Sequence, residues 1–459
     1  MSHLIRGRLA AMWVCVVFAL LNSPVPATAS EPSAPPNYAF TNGRWFDGSG
    51  FQKAAWYSVQ GRLTRTPPAE PVQIIDLAGA FVIPPFGEAH NHNIEGEWNL
   101  ETVAARYLKD GVFYVKNPND VRDFAVKIGG KLNLPHTIDV AFAHAGLTGS
   151  GGHPGALYED VLRLHRYEPV MGRIERGWFE NRAYVVVDNE QDLDKKWALI
   201  TGGKPDFIKA YLVHSDDAAT DNRHGKHNKR SGLNPVLLPN VVKKAHAAGL
   251  PVSVHVETAA DFRSAVRSGA DEIAHLPGWM IEKESDVERV RLSEEDARLA
   301  ASQGVVVVTT TVASRMMPGT GGHHPGGHTH GTQEPTAHPD SYGDGGTLQT
   351  RARDVQRDNL RLLLRYGVKL AIGSDHADTS LAEALNLNAL GVFDSLTLLK
   401  LWCEVTPAAI FSHRKIGRFE EGYEASFLAL EGDPLADITN VQTIRLRVKQ
   451  GMRLDGLVE

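Results

Sequence analysis

The rhythm of apolar positions changes twice along this chain. From Tyr38 to Ile83 apolar residues come in short runs separated by turn signals at Gly43, Asp47-Gly48, Gly61 and Gly79, a pattern that predicts short β-strands. From about Phe81, short apolar runs alternate with segments of helical period. LPNVVKKAHAAGL places Leu238, Val241, Val242 and Ala245 on one helical face, predicting an amphipathic helix that Gly249 ends, and the strand VSVHVE follows at once. Ser293 with Asp296 reads as a helix N-cap before ARLAASQG, and VVVVTTT follows as a strand. Leu360, Leu363 and Leu364 share a face before Gly367 and the strand VKLAIGSD. From about Arg418 the short-strand pattern returns in ASFLAL, TIRLRVKQG and RLDGLVE. Helix, glycine, strand and then a polar residue at the strand's end is the rhythm of βα units around a parallel sheet. In a (β/α)8 barrel those strand ends face the mouth.

The first residues break this pattern. Arg6 and Arg8 precede an apolar run from Leu9 to Leu21, too short to span a bilayer comfortably, and Ala27-Thr28-Ala29 has the small-x-small form of a cleavage site. We expect a signal peptide over residues 1–29, with an uncleaved anchor as the alternative, and a Pro-rich linker over 30–37. The mature protein is then expected in the periplasm or secreted, and not membrane-embedded, since no second long apolar segment appears.

Composition narrows the function. The chain has 459 residues, 42% hydrophobic, and a formal net charge of -6. That length suits one large α/β barrel or two to three ordinary domains. No basic block could neutralise a run of phosphates, which argues against a nucleic-acid partner. Two cysteines, Cys15 and Cys403, cannot make a disulfide framework or a Cys-based zinc site.

Metal-ligand residue types recur at five strand ends. His90 and His92 alternate at the end of FVIPPFGEAHNHN, where i and i+2 share a side and can reach one metal. Lys209 sits inside the apolar run PDFIKAYL, where a buried amine needs a partner or a modification. His255 ends VSVHVET, His275 ends GADEIAHLPGW and Asp375 ends VKLAIGSDHA. Each alone reads as a strand-end polar residue bonded to backbone; their order together points to a metal site.

In these residues the sequence resembles the amidohydrolase superfamily of metal-dependent hydrolases, from about Phe40 to Leu457. IPPFGEAHNH matches the family's first-strand His-x-His pattern, with Glu88 where Asp is usual. Lys209, His255, His275 and Asp375 match its fourth-strand Lys, fifth- and sixth-strand His and eighth-strand Asp. LTGSGGH, ending in His153, resembles a loop of the prolidase-like branch, and GYEASFLALEGDPLADI resembles the return to a small β-domain. The resemblance implies a distorted (β/α)8 TIM barrel over 81–417 and a β-sandwich built from 38–80 and 418–459. It implies two divalent metals, zinc first, with manganese, cobalt or iron fitting the same ligands. His90 and His92 would hold one and His255 and His275 the other, bridged by a CO2-derived carbamate on Lys209. Asp375 would bind the first metal and act as general acid/base toward water activated by the metals.

His153 and Tyr211 are candidates for substrate contact, and Lys116 reads as a salt-bridged residue at the second strand's end. Residues 318–338, PGTGGHHPGGHTHGTQEPTAH, read as a solvated loop, a lid or an accessory metal collector. The leading function is hydrolysis of an amide-type C–N bond in a small molecule: a dipeptide, a cyclic amide or an N-acyl compound. A lactone or ester hydrolase would use the same site. A mononuclear deaminase would not need Lys209. A periplasmic metal-binding protein would need neither Lys209 nor Asp375. A homo-oligomer is compatible with the sequence.

Overall fold

Alternating runs become strands when one face is buried, and the first segment shows this directly. It forms β1 (Tyr38–Phe46), β2 (Phe51–Val59), β3 (Arg62–Thr64), β4 (Gln73–Asp76) and β5 (Phe81–Ile83). The structure is a computed structural model describing residues 36–69, 72–216, 231–278, 281, 284–315, 347–454 and 456. The expected signal peptide, residues 30–35 of the linker and the His-rich segment 318–338 lie outside the described residues. Gly43 lies at the irregularity of the β1–β2 pairing. A Cβ there would come within 2.7 Å of Leu77 Cδ1 and 2.8 Å of Trp45 Nε1.

The βα rhythm gives a barrel. Its strands are β6 (Phe86–Glu88), β7 (Val112–Asn117), β8 (Asp139–Phe142), β9 (Gly146–Thr148), β11 (Ile208–Tyr211), β12 (Val252–His255), β13 (Glu272–Ile273), β14 (Val306–Val308) and β15 (Lys369–Ala371), with β10 (Tyr184–Val186) added beside β9. All pair in parallel. Two short segments, β8 and β9, together occupy the third barrel position. Phe142 O accepts from Asp206 N at 2.8 Å, and Leu147 pairs with Ala210 of β11. The barrel closes where β15 meets β6, through Ala89 N to Ile372 O at 2.8 Å and Asp375 N to His90 O at 2.7 Å. The result is a distorted (β/α)8 barrel.

The helices follow local rules. Leu238–Ala247 buries Leu238, Val241, Val242 and Ala245, the face the spacing marks. Glu294–Gln303 starts at a capping box of Ser293 and Asp296 and stops at Gly304 in the left-handed region. Ala259–Arg267 starts at a second capping box, Thr258 with Asp261. Each cap contributes about 1 kcal/mol.

The chain's end returns to the first segment. β16 (Phe427–Leu430), β17 (Ile444–Lys449) and β18 (Met452–Arg453) complete an eight-stranded sheet in the order β18-β17-β16-β5-β1-β2-β3, with β4 on β1. Its two ends meet, because Leu63 N donates to Tyr423 O and Gly451 N to Ala425 O, both at 2.8 Å. The faces enclose Phe40, Trp45, Trp56 and Phe427. This layer, built from both chain ends, is tied to the barrel by buried charges. Arg414 pairs with Asp139 of β8 and with Glu424, each at 2.8 Å, and Lys449 of β17 pairs with Asp139 at 2.6 Å.

Candidate active site

The expected ligands converge at the strand ends. His90 Nε2 lies 3.2 Å from His92 Nε2, and Asp375 Oδ1 lies 3.6 Å and 3.5 Å from those two atoms. Among the described residues, His90, His92 and Asp375 are the group of His, Cys and acid side chains compact enough to share one ion. The His90 ring is 4.5 Å from the His275 ring, and His275 is 4.6 Å from His255, centroid to centroid. His255 in turn stacks on His153 at 5.0 Å and lies 5.3 Å from Tyr211. Lys209 Nζ sits 5.3 Å from the Tyr211 ring. All eight sequence candidates therefore meet in one cluster.

Close approach at the seam of the barrel needs a small residue. A Cβ on Gly373 would lie 2.5 Å from Val308 Cγ1 and 2.8 Å from His90 Cβ. Glu88 holds the same seam. Its carboxylate accepts from His90 N at 3.2 Å, Ser374 N at 2.9 Å and Ser374 Oγ at 2.5 Å. Burial pushes the Glu88 carboxyl up to about 8, against these hydrogen bonds. The residue that departs from the family's usual Asp thus binds backbone and a serine; the longer side chain spans from β6 to the end of β15.

The electrostatics suit metal ligands. Burial drives His90 and His153 down to about 3 and holds His92 and His275 well below the ordinary histidine range. Neutral imidazole is the form that ligates. Burial alone would raise Asp375, but the imidazoles of His376, His90 and His275 hold it well below the usual carboxylate range. Lys209 is 1% exposed, and burial lowers its amine to about 7. Its Nζ and the Nδ1 of His90 are both buried without a hydrogen-bond partner. Buried donors are otherwise nearly always satisfied, so the orphaned Lys209 amine marks a position that fits a bridging ligand, while His90 turns its other nitrogen, Nε2, toward His92 and Asp375.

Several residues around this cluster escaped the sequence reading. Asn119 O accepts from His92 Nδ1 at 3.3 Å when that nitrogen carries the proton, leaving Nε2 free toward Asp375. The Asn119 side chain takes the Tyr211 hydroxyl at 2.9 Å. Thr310 Oγ1 is 2.9 Å from His275 Nδ1. His376 stacks on His92 at 5.2 Å, with its Nε2 3.6 Å from Asp375 Oδ1. His214 pairs with Glu257 at 2.9 Å, beside His255. His376 and Glu257 had a sequence signal, each within two residues of an expected ligand, and Thr310 lies in the run VVVVTTT; Asn119 and His214 sit after other strands with no such mark. Lys116 forms the salt bridge expected of it, to Glu272 at 2.8 Å.

The amidohydrolase family profile matches residues 207–452, more than half of the chain. The protein belongs to the amidohydrolase family. It is a hydrolytic enzyme acting on C–N bonds of small molecules, in a family that generally binds divalent metals. Solved structures share its fold at low identity. The A. niger ochratoxinase is similar at a TM-score of 0.66 and 17% identity, covering 92% of this chain and 96% of that one. Phenylurea hydrolase B aligns at 0.65 and 16% identity, covering 91% and 97%. A Xaa-Pro dipeptidase with bound methionine in its active site aligns at 0.63 and 17% identity, covering 92% and 100%. No curated protein matches this amidohydrolase in sequence.

Proposed function

We propose that this amidohydrolase is an exported two-metal enzyme of the prolidase-like branch that cleaves an amide bond in a small substrate: a dipeptide, a cyclic amide or an N-acyl compound. One observation carries the reading: four imidazoles, Asp375 and a partnerless buried lysine meet at the ends of β6, β11, β12, β13 and β15. His90, His92 and Asp375 would hold one cation, His255 and His275 the other, and carboxylated Lys209 would link them. Zinc suits this donor set, and manganese, cobalt or iron fit it too. Two divalent cations there supply Lewis acidity and lower the pKa of water toward neutrality.

The chain's own groups do the rest. Asp375 accepts the proton of the attacking water and delivers it to the leaving nitrogen. The Tyr211 hydroxyl donates to Asn119, so its ring forms the wall against His153 and His255. His153, neutral and half-buried, can donate one hydrogen bond to a substrate carbonyl or carboxylate. The same arrangement would serve a lactone or ester, which makes the substrate screen decisive. In this reading the catalytic barrel spans 81–417 apart from β5, whose residues Phe81–Ile83 pair into the composite β-domain of 38–80 and 418–459, and 1–29 are the export signal.

The test is metal analysis of purified protein combined with hydrolysis assays on dipeptides, N-acyl amino acids, cyclic amides and lactones. Near two metal equivalents with turnover of an amide supports the reading. One equivalent or fewer at full activity overturns the two-metal site, and turnover of lactones alone overturns the amide assignment.

A further inference from the structure

The barrel interior carries a charged layer beside the catalytic cluster. Lys116 of β7 and Glu272 of β13 form an ion pair with both side chains less than a tenth exposed. Glu272 Oε2 takes Lys116 Nζ at 2.8 Å, and its Oε1 takes Ser253 Oγ at 2.7 Å. Lys116 Nζ also lies over the Phe207 ring, 4.2 Å from its centre. In strand register, Lys209 is opposite Ser253, and Ser253 is opposite Glu272. The buried Lys209 amine is thus two strands from a buried carboxylate and still has no hydrogen-bond partner. Glu272 and Lys116 both act on it electrostatically.

That arrangement is physically odd unless it is used. A buried amine and a buried carboxylate in one layer should pair, because a charge left unpaired there is desolvated without compensation. Here each carboxylate oxygen is already engaged by another partner, Lys116 on one and Ser253 on the other.

We propose that Lys116 and Ser253 occupy Glu272 so that it does not capture Lys209, leaving the Lys209 amine open to carboxylation. The inference rests on the two-metal reading above and adds the residues that make Lys209 modifiable. Carboxylation joins the Nζ lone pair to the carbon of CO2, moves one C–O π pair onto oxygen and releases one Nζ proton to solvent. A Lys209 locked to Glu272 could not offer that lone pair. Lys116 is a positioning residue, since it acts through Glu272.

The experiment uses the full chain loaded with zinc and ¹³C-bicarbonate. The carbamate carbon is read by NMR, and bound zinc by elemental analysis. Lys116→Met frees Glu272 to take Lys209. An opposite charge at contact distance is worth about tenfold or more in such an equilibrium, so the bicarbonate needed for half-maximal signal should rise by about that factor, and bound zinc should fall. Because Lys116→Met leaves a buried unpaired acid, circular dichroism first checks that it folds. Lys116→Met/Glu272→Gln removes the competitor and should regain most of the signal. A folded Lys116→Met with wild-type carbamate and zinc overturns the inference while leaving the two-metal reading intact. So does a folded double variant no better than the single one. If the wild-type protein itself shows no carbamate, the bridging role of Lys209 fails, and this inference fails with it.

Discussion

The clearest energetic prediction concerns the charges that tie the chain-end sheet to the barrel. Arg414 is largely buried, with its guanidinium between Asp139 and Glu424, whose side chains are 1% and 7% exposed. The Glu424 contact is bidentate, through Nε at 3.0 Å and Nη2 at 2.8 Å. Lys449, fully buried, completes the group on Asp139 and also donates to Leu134 O at 2.7 Å. Arg414→Met removes one cation but leaves Glu424 without its fork and Asp139 with Lys449 alone. Breaking a buried pair from one side typically costs about 3–5 kcal/mol, because a carboxylate stays desolvated. The retained Lys449 contact places this case near the low end, about 3 kcal/mol. Equilibrium urea unfolding, followed by tryptophan fluorescence and by circular dichroism, measures it. The matched control is Arg176→Met, which removes an ion pair to Asp160 at an exposed site and should leave the midpoint unchanged. Arg414→Met/Glu424→Gln should be less destabilised than the sum of the single changes, since the acid left unpaired is neutralised. Equal midpoints for Arg414→Met and Arg176→Met would refute the argument.

Three further outcomes follow from the site. Gly373→Ala must push a methyl group into Val308 Cγ1 and the His90 Cβ and N, at 2.5 to 2.9 Å; overpacking of this kind costs about 1–3 kcal/mol, and metal content should fall with it, whereas wild-type metal content would contradict the close packing. Asp375→Asn, compared at equal metal loading on a substrate from the screen, should lower kcat by about 10²–10⁴-fold with KM little changed, and a kcat within about threefold would remove Asp375 from the proton path. The hydrogen bond that His214 donates to Glu257 holds His214 above the ordinary histidine range despite burial; its stabilisation is complete below the unfolded-state pKa and is lost as pH rises through the folded one, so the stability gap between wild type and His214→Gln should narrow from pH 6 upward, and a gap that widens would show the sign is wrong.

What could be read in the sequence is what local chemistry dictates. The helix at Leu238–Ala247 was legible because its apolar spacing and terminal glycine lie within one segment. The capping box at Ser293 and Asp296 was legible for the same reason. The strand-end ligands were legible because each ends a short apolar run. The apolar runs overstated the strands, however. VVVVTTT pairs only over Val306–Val308, because Thr310 turns to His275 and Thr311 to Glu383, whose carboxylate takes the Thr311 hydroxyl and N–H. Nor does any local pattern mark the break between β8 and β9, or the partners that Asn119 and Glu272 find on other strands. Such contacts depend on which strands become neighbours, and that information is spread across the whole chain.

The backbone at the strand ends argues for function independently of the ligands. His214, Thr310 and Asp375 adopt positive φ, at 48°, 42° and 56°, and all follow barrel strands at the mouth. Thr310 is the most telling, because a β-branched residue pays the largest steric penalty there. Each such residue costs about 1–3 kcal/mol, and a fold keeps them where turning a side chain inward matters more than local comfort. At Thr310 and Asp375 the turn does this: one hydroxyl reaches His275, and one carboxylate reaches His90 and His92. The same strain decides how Asp375 should be probed. Alanine would lose the carboxylate and also fit the left-handed region poorly, mixing two effects. Asparagine tolerates that region at least as well as aspartate, because its short polar side chain can bond locally. Asp375→Asn therefore keeps the turn that closes β15 onto β6, and a loss of rate in that variant reads out proton transfer or metal binding, not a collapsed strand end.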